Sequence, residues 1–205
     1  MSSPRKTVGT VLFAMTELTN AATLDVAVSA EIDVAKKDYG MVYLHHGFFE
    51  GGSNANPQKW LIQISGQTSG NADWMTYQEV NITFSGTVGD EGFDANEDAG
   101  VKVIAVGDTT GFAHADSVLV HHTELTSSEW ATVAELVSNT TITLVDALTT
   151  DQTSATSTLF GSAQHNAIPM DLRGINRLRV LYYNNLGAAM DSVIEATMTT
   201  LDQYS

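Results

Sequence analysis

The sequence predicts an all-β protein, built as an antiparallel β-sandwich or jelly roll. Three observations predict it. Leu24, Val26, Val28, Ala30, Ile32 and Val34 alternate with Asp25, Ala27, Ser29, Glu31 and Asp33, a period of two that gives a strand one dry and one wet face. Short runs of Val, Ile, Thr and aromatic residues recur along the chain, with Gly, Asn, Asp and Ser between them. Helical periodicity is scarce.

After Leu24–Val34, the runs that read as strands are Val42–Leu44, Trp60–Ile64, Val80–Phe84, Val101–Val106, Val118–Val120, Thr141–Val145, Leu178–Tyr183 and Val193–Met198. Val80, Ile82 and Phe84 fall on one side of theirs. Ser127–Val137 reads two ways. Trp130, Val133, Ala134 and Val137 sit at helical spacing behind a capping serine, whereas Trp130, Thr132, Ala134 and Leu136 alternate as in a strand. Val42–His46 echoes Val118–His122, and Trp74–Glu79 echoes Trp130–Glu135, but the spacing differs between copies and no tandem repeat follows.

Composition divides the chain. Between Trp60 and Leu172 only Lys102 is basic, while fifteen acidic residues lie in that span. A Gly-rich acidic stretch, Gly86–Gly100, and a Thr/Ser-rich one, Thr149–Ser162, read as crossings between units. The expected organisation is an arm at 1–6, a sandwich from 7–82 plus 163–205, and a smaller inserted β domain at 83–162.

With 9 basic against 24 acidic residues the chain carries a formal charge of −15. That balance argues against nucleic acid and anionic membranes as partners, because both require neutralising Lys and Arg. No cysteine is present, which removes disulfides, thiolate catalysis and zinc–thiolate sites. The start lacks an apolar signal core and no apolar run approaches bilayer length, so the expectation is a soluble chain made in the cytoplasm.

Candidate chemistry is sparse. His45-His46 and His121-His122, with Glu50 and Glu124 near them, have metal-ligand character. Neighbours on a strand point to opposite faces, however, so each pair offers one ligand to a given side. The plainer reading packs one His of each pair against an aromatic such as Phe48 and leaves the other solvated. Asp94–Gly100 resembles a calcium loop that could use Asp90, Glu91, Asp94 and Asp98, but its Gly is seventh rather than sixth and Ala105 stands where a bidentate Glu belongs. A solvated acidic loop is the expectation, with no metal and no cofactor. No G-x-S-x-G, H-E-x-x-H or phosphate-binding Gly-Lys motif appears, and the chain is expected not to be an enzyme. Arg173, Arg177 and Arg179 form the one positive cluster besides Arg5 and Lys6. Arg177 and Arg179 share a strand face opposite Leu178, Val180 and Tyr182, where they either pair with local carboxylates or dock on an acidic neighbour.

Two stretches carry a resemblance. Ala105–Phe112 (AVGDTTGF), Ser128–Trp130 (SEW) and Thr141–Thr149 (TITLVDALT) are similar to small β-barrel domains of phage structural proteins. Arg177–Asn185 (RLRVLYYNN) and Ile194–Leu201 (IEATMTTL) look like the closing strands of a virion sandwich. The chain thus resembles tailed-bacteriophage virion proteins of the capsid decoration, or cement, type. The resemblance implies that the inserted domain is a small barrel and that the partner is the major capsid protein or another virion protein. It further implies a homo-oligomer, often a trimer, located in the virion and assembled in the host cytoplasm. It carries no catalytic residue. Arg5, Lys6, Arg173, Arg177 and Arg179 are the expected partner contacts. The alternative is a tail or head-fibre module that binds a receptor or carbohydrate through Trp60, Trp74 or Trp130.

Overall fold

Strand alternation and its interruptions govern how the chain is laid out. The computed structural model describes residues 9–18, 25–48, 58–70, 72–82, 89–161, 163–184 and 192–202. Arg5, Lys6, Leu24, Glu50, Phe84 and the ends Gly86 and Ser162 of the two expected crossings lie outside them.

The first six strands are β1 (Thr10–Leu18), β2 (Asp25–Val28), β3 (Ile32–Asp33), β4 (Lys37–Phe48), β5 (Gln58–Ser65) and β6 (Met75–Ile82). Six more follow: β7 (Asp90–Gly92), β8 (Val103–Ala105), β9 (Ser117–His122), β10 (Glu129–Leu136), β11 (Thr141–Leu144) and β12 (Ser157–Phe160). The chain closes with β13 (Gln164–Asp171), β14 (Arg177–Asn184) and β15 (Ser192–Asp202). All pairings are antiparallel. The all-β expectation holds. Among the described residues helical geometry is confined to two three-residue 3-10 turns, and no helix is long and apolar enough to cross a membrane.

Two sheets face each other, in the orders β1-β15-β4-β13 and β2-β14-β5-β6, with β3 also on β14. The first contributes Leu12, Val42, Leu44, Ile168, Met170, Ile194, Ala196 and Met198 to a shared core. The second contributes Trp60, Ile62, Ile82, Leu178, Val180 and Tyr182. Removing this much apolar surface from water is the main drive to fold. A polar strip crosses the same core. Gln58 Oε1 accepts from Tyr182 Oη at 2.7 Å and lies 2.9 Å from His46 Nε2. Burial drives the His46 pKa down to about 3, so the ring is neutral at pH 7.

The third sheet, β7-β12-β9-β10-β11-β8, is made entirely from residues between Asp90 and Phe160 and has its own core. A bridge from Phe93 to Val106 joins its first and last strands, so the sheet curls nearly into a barrel. Both stretches expected to be crossings are partly built into it. Asp90–Gly92 is an edge strand, and Ser157–Phe160 is a central one whose Leu159 is fully buried. Ser127–Val137 resolves as strand β10, entered by the 3-10 turn Leu125–Ser127.

The alternation of Leu24–Val34 does not survive as one strand. Between the pairs Leu181–Val28 and Leu178–Ile32 the β2–β3 side spends one residue more than β14, a bulge. Ser29 makes it. Its N–H donates to Val180 O and its hydroxyl accepts from Val180 N–H, both at 2.9 Å. The bulge flips the phase. Ala27 packs inward before it and Ile32 and Val34 after it, while Val28 is left 51% exposed.

Candidate functional site

The outer face of the β1-β15-β4-β13 sheet concentrates the features that bear on function. Val42, Leu44 and His46 of β4 point into the core, so Tyr39, Met41, Tyr43 and His45 point out. Register sets their neighbours in rows: Leu201–Tyr39–Asp171, Thr199–Met41–Pro169, Thr197–Tyr43–Ala167 and Glu195–His45–His165. Pro169 is tolerated because, among the described strands, β13 is an edge strand paired with β4 alone.

The Tyr39 end of this face is open. Tyr39, Met41, Tyr43, Pro169, Met170 and Leu201 line a mainly apolar groove of about 540 Å³. Arg173 stands at its rim, 5.5 Å over the Tyr39 ring, and donates from Nε to Asp171 Oδ1 at 2.9 Å. The Arg173 hydrogen bonds hold the Asp171 carboxyl down to about 2.

The His45 end is covered by the inserted unit. Leu119 and Phe160 of that unit pack on Val193, with Met15, Leu125, Trp130 and Ala163 around them. Gly47 lets the two units approach closely, since a Cβ there would lie 3.0 Å from Trp130 Cζ3 and 3.1 Å from Leu119 Cδ2. The Trp130 indole stacks on His45, meets His165 edge-on, and donates from Nε1 to Glu195 Oε2 at 2.7 Å. Beside it, His121 Nε2 lies 3.9 Å from Glu17 Oε2.

The histidine pairs therefore split as strand geometry requires, but not into one packed and one solvated member. His46 stacks on Tyr182 in the core and His45 on Trp130 at the seam. His121 faces Glu17 and Phe160, while His122 Nδ1 accepts from Glu124 N–H and Nε2 lies 2.8 Å from Thr156 Oγ1. The Phe48 side chain lies outside what is described. Among the described residues no three His, Asp or Glu side chains converge as metal ligands. In the acidic loop Glu97 Oε1 accepts from Ala105 N–H, and Asp151 Oδ1 accepts from Ala99 N–H, so these carboxylates staple backbone.

The three arginines are engaged within the chain. Arg173 holds Asp171, and Arg177 pairs with Glu31 and donates to Gly70 O. Arg179 donates to Gln63 Oε1 at 2.9 Å. The guanidinium groups of Arg177 and Arg179 lie over the Trp74 ring at 5.5 and 4.3 Å. Of the tryptophans proposed as a carbohydrate platform, Trp60 is core, Trp130 is in the seam and Trp74 lies against these two arginines. The groove is not legible in the sequence, because β13 lacks a strand pattern and no row across β15, β4 and β13 can be assembled without it.

No family model matches the chain, and no curated protein matches it. Among solved structures it is similar to VP17, a capsid protein of bacteriophage P23-77, at 8% identity over 98% of this chain and 100% of that one, with a TM-score of 0.21.

Proposed function

We propose that the chain is a non-enzymatic virion structural protein, a capsid decoration or cement protein whose open sheet face seats on the major capsid protein or another virion protein. The observation that carries this reading is the groove. Tyr39 at 49%, Leu201 at 37% and Val11 at 56% exposure leave apolar surface uncovered on a sheet whose other end is covered. Contiguous apolar surface of this kind marks a protein interface. The sequence resemblance supplies the class of partner. Arg173 at the groove rim and the arm residues Arg5 and Lys6 are the proposed polar contacts. Arg177 and Arg179, engaged with Glu31, Gln63 and Trp74, serve the outer face of the β2-β14-β5-β6 sheet first. On a shell, repeated copies or a homo-oligomer such as a trimer would multiply weak contacts by avidity.

The test is occupancy on capsids purified from the phage that encodes the chain, after washing at low and high salt. Tyr39→Ser combined with Leu201→Ser should reduce occupancy at least tenfold with the fold intact. Removing residues 1–7 should reduce it less, and mainly at low salt. A strictly monomeric protein that never co-sediments with capsids would put the tail or receptor-binding reading ahead, and glycan capture would then test that one.

A further inference from the structure

The seam that holds the inserted unit to the sandwich is rich in titratable groups. His45 and His165 rings are 4.5 Å apart, edge to face, and Trp130 closes a triangle with them at 5.6 Å from each. His45 Nδ1 is buried without a hydrogen-bond partner. Among the described residues, the other titratable groups facing the seam come from three strands. β15 presents Glu195, β1 presents Glu17 and β9 presents His121 followed by His122, whereas Trp130 of β10 and Phe160 of β12 bring no charge.

We propose that this seam is an acid-operated latch: protons taken up by His45 and His165 release the inserted unit from the sandwich sheet. The geometry supplies the mechanism. At neutral pH both rings are uncharged and act as flat packing partners for an indole. A proton on either ring places a cation against the Trp130 indole in a partly desolvated seam. A second proton places two like charges 4.5 Å apart. Glu195, beside His45 in the same row, holds the Trp130 indole N–H through Oε2 and is the one carboxylate of that row. His165 is exposed along its strand, yet its ring is wedged between His45 and Trp130. Burial of the ring first, and the His45 charge second, lower its pKa to about 4. Burial lowers His45 and His121 as well. When the seam opens, the rings return toward 6.5. Opening is therefore favoured as pH falls from about 6.5 to about 4 and gains nothing further below that. The linkage limit for His165 alone is about twentyfold between pH 7 and pH 5. Its partial contact with solvent brings the expected change to about tenfold.

The molecule carries its own reporter and control. The Trp130 indole N–H bonds across the seam, and the Trp60 indole N–H sits in the sandwich core. Proton exchange of both can be followed by NMR in the full chain and corrected for the intrinsic pH dependence of exchange. Between pH 7 and pH 5 the Trp130 indole should lose about tenfold in protection through opening of the seam alone, while the Trp60 indole, released only by global unfolding, should follow the urea stability at each pH. Replacing both rings, H45F with H165F, should remove most of the pH dependence of Trp130 protection, the remainder coming from His121. Trp130 exchange no faster than global unfolding at the same pH would overturn the latch, as would unchanged Trp130 protection. Should the double variant fail to fold, direct titration of the His45 and His165 ring carbons in the unaltered chain decides. Midpoints well below 6.5 that coincide with Trp130 exposure support the latch, and midpoints near 6.5 overturn it.

Discussion

The two ends of one sheet face are built from the same strands in the same register, yet they have opposite fates. At the His45 end, Val193, Glu195 and Gly47 lie beneath Leu119, Phe160 and Trp130 of the inserted unit. At the Tyr39 end, four or more residues further along the same strands, Tyr39, Met41 and Leu201 face solvent. Alternation decides which side chains leave the core, but it does not decide what covers them. Coverage at the His45 end depends on residues more than seventy positions away, through a glycine at 47 and a tryptophan at 130.

The sharpest way to break the comparison is to uncover the covered end. Trp130→Ala removes the indole, its bond to Glu195 and its stack on His45, and should cost about 2–3 kcal/mol in urea unfolding. Gly47→Val attacks the same contact from the sandwich side. Its new atoms meet Trp130 and Leu119, and the expected cost is about 1–2 kcal/mol. A response near zero to either would mean that the unit does not rest on the sheet.

Acidification is the next lever. The depressed His46 and His165 pKa values mean that the native chain binds fewer protons than the unfolded one below about pH 6.5. Stability is therefore full above that pH and falls as pH drops toward the folded values of about 4 and about 3. Urea midpoints taken from pH 7.5 to pH 4 should decline in that order, and a flat profile would contradict the burial of these rings.

Smaller effects sharpen the other side. Arg179→Ala loses the stack on Trp74 and the bond to Gln63, for about 1 kcal/mol. That result would separate a structural arginine from a docking one. Tyr39→Ser at the open end should leave stability within about 0.5 kcal/mol, since it uncovers nothing in the free chain.

Much of this architecture is legible in the residues, and the failures have physical causes. Trp60, Ile62 and Ile64 alternate cleanly and form a core strand, and Leu178, Val180 and Tyr182 do the same. β1 was missed because its pairing shifts register twice, which lets Leu12 and Phe13 both reach the core and erases the period of two. β13 was missed because Gln164, His165, Asn166 and Pro169 lack strand propensity, yet an edge position accepts them. The break at Ser29 was hidden because its hydroxyl does the work of a backbone acceptor. The seam was half visible in the histidine pairs. Its meaning lay in which strand each pair faced, and local pattern does not encode that.

The claim that one end of the sheet face is spoken for within the chain and the other awaits a partner is tested most directly by hydroxyl-radical footprinting of the protein free and attached to purified capsids. Tyr39, Met41 and Tyr43 should be modified in the free chain and protected on the shell, with Trp130 protected in both states at neutral pH. Equal modification of the groove residues in the two states, or a Trp130 that reacts freely before attachment, would contradict it.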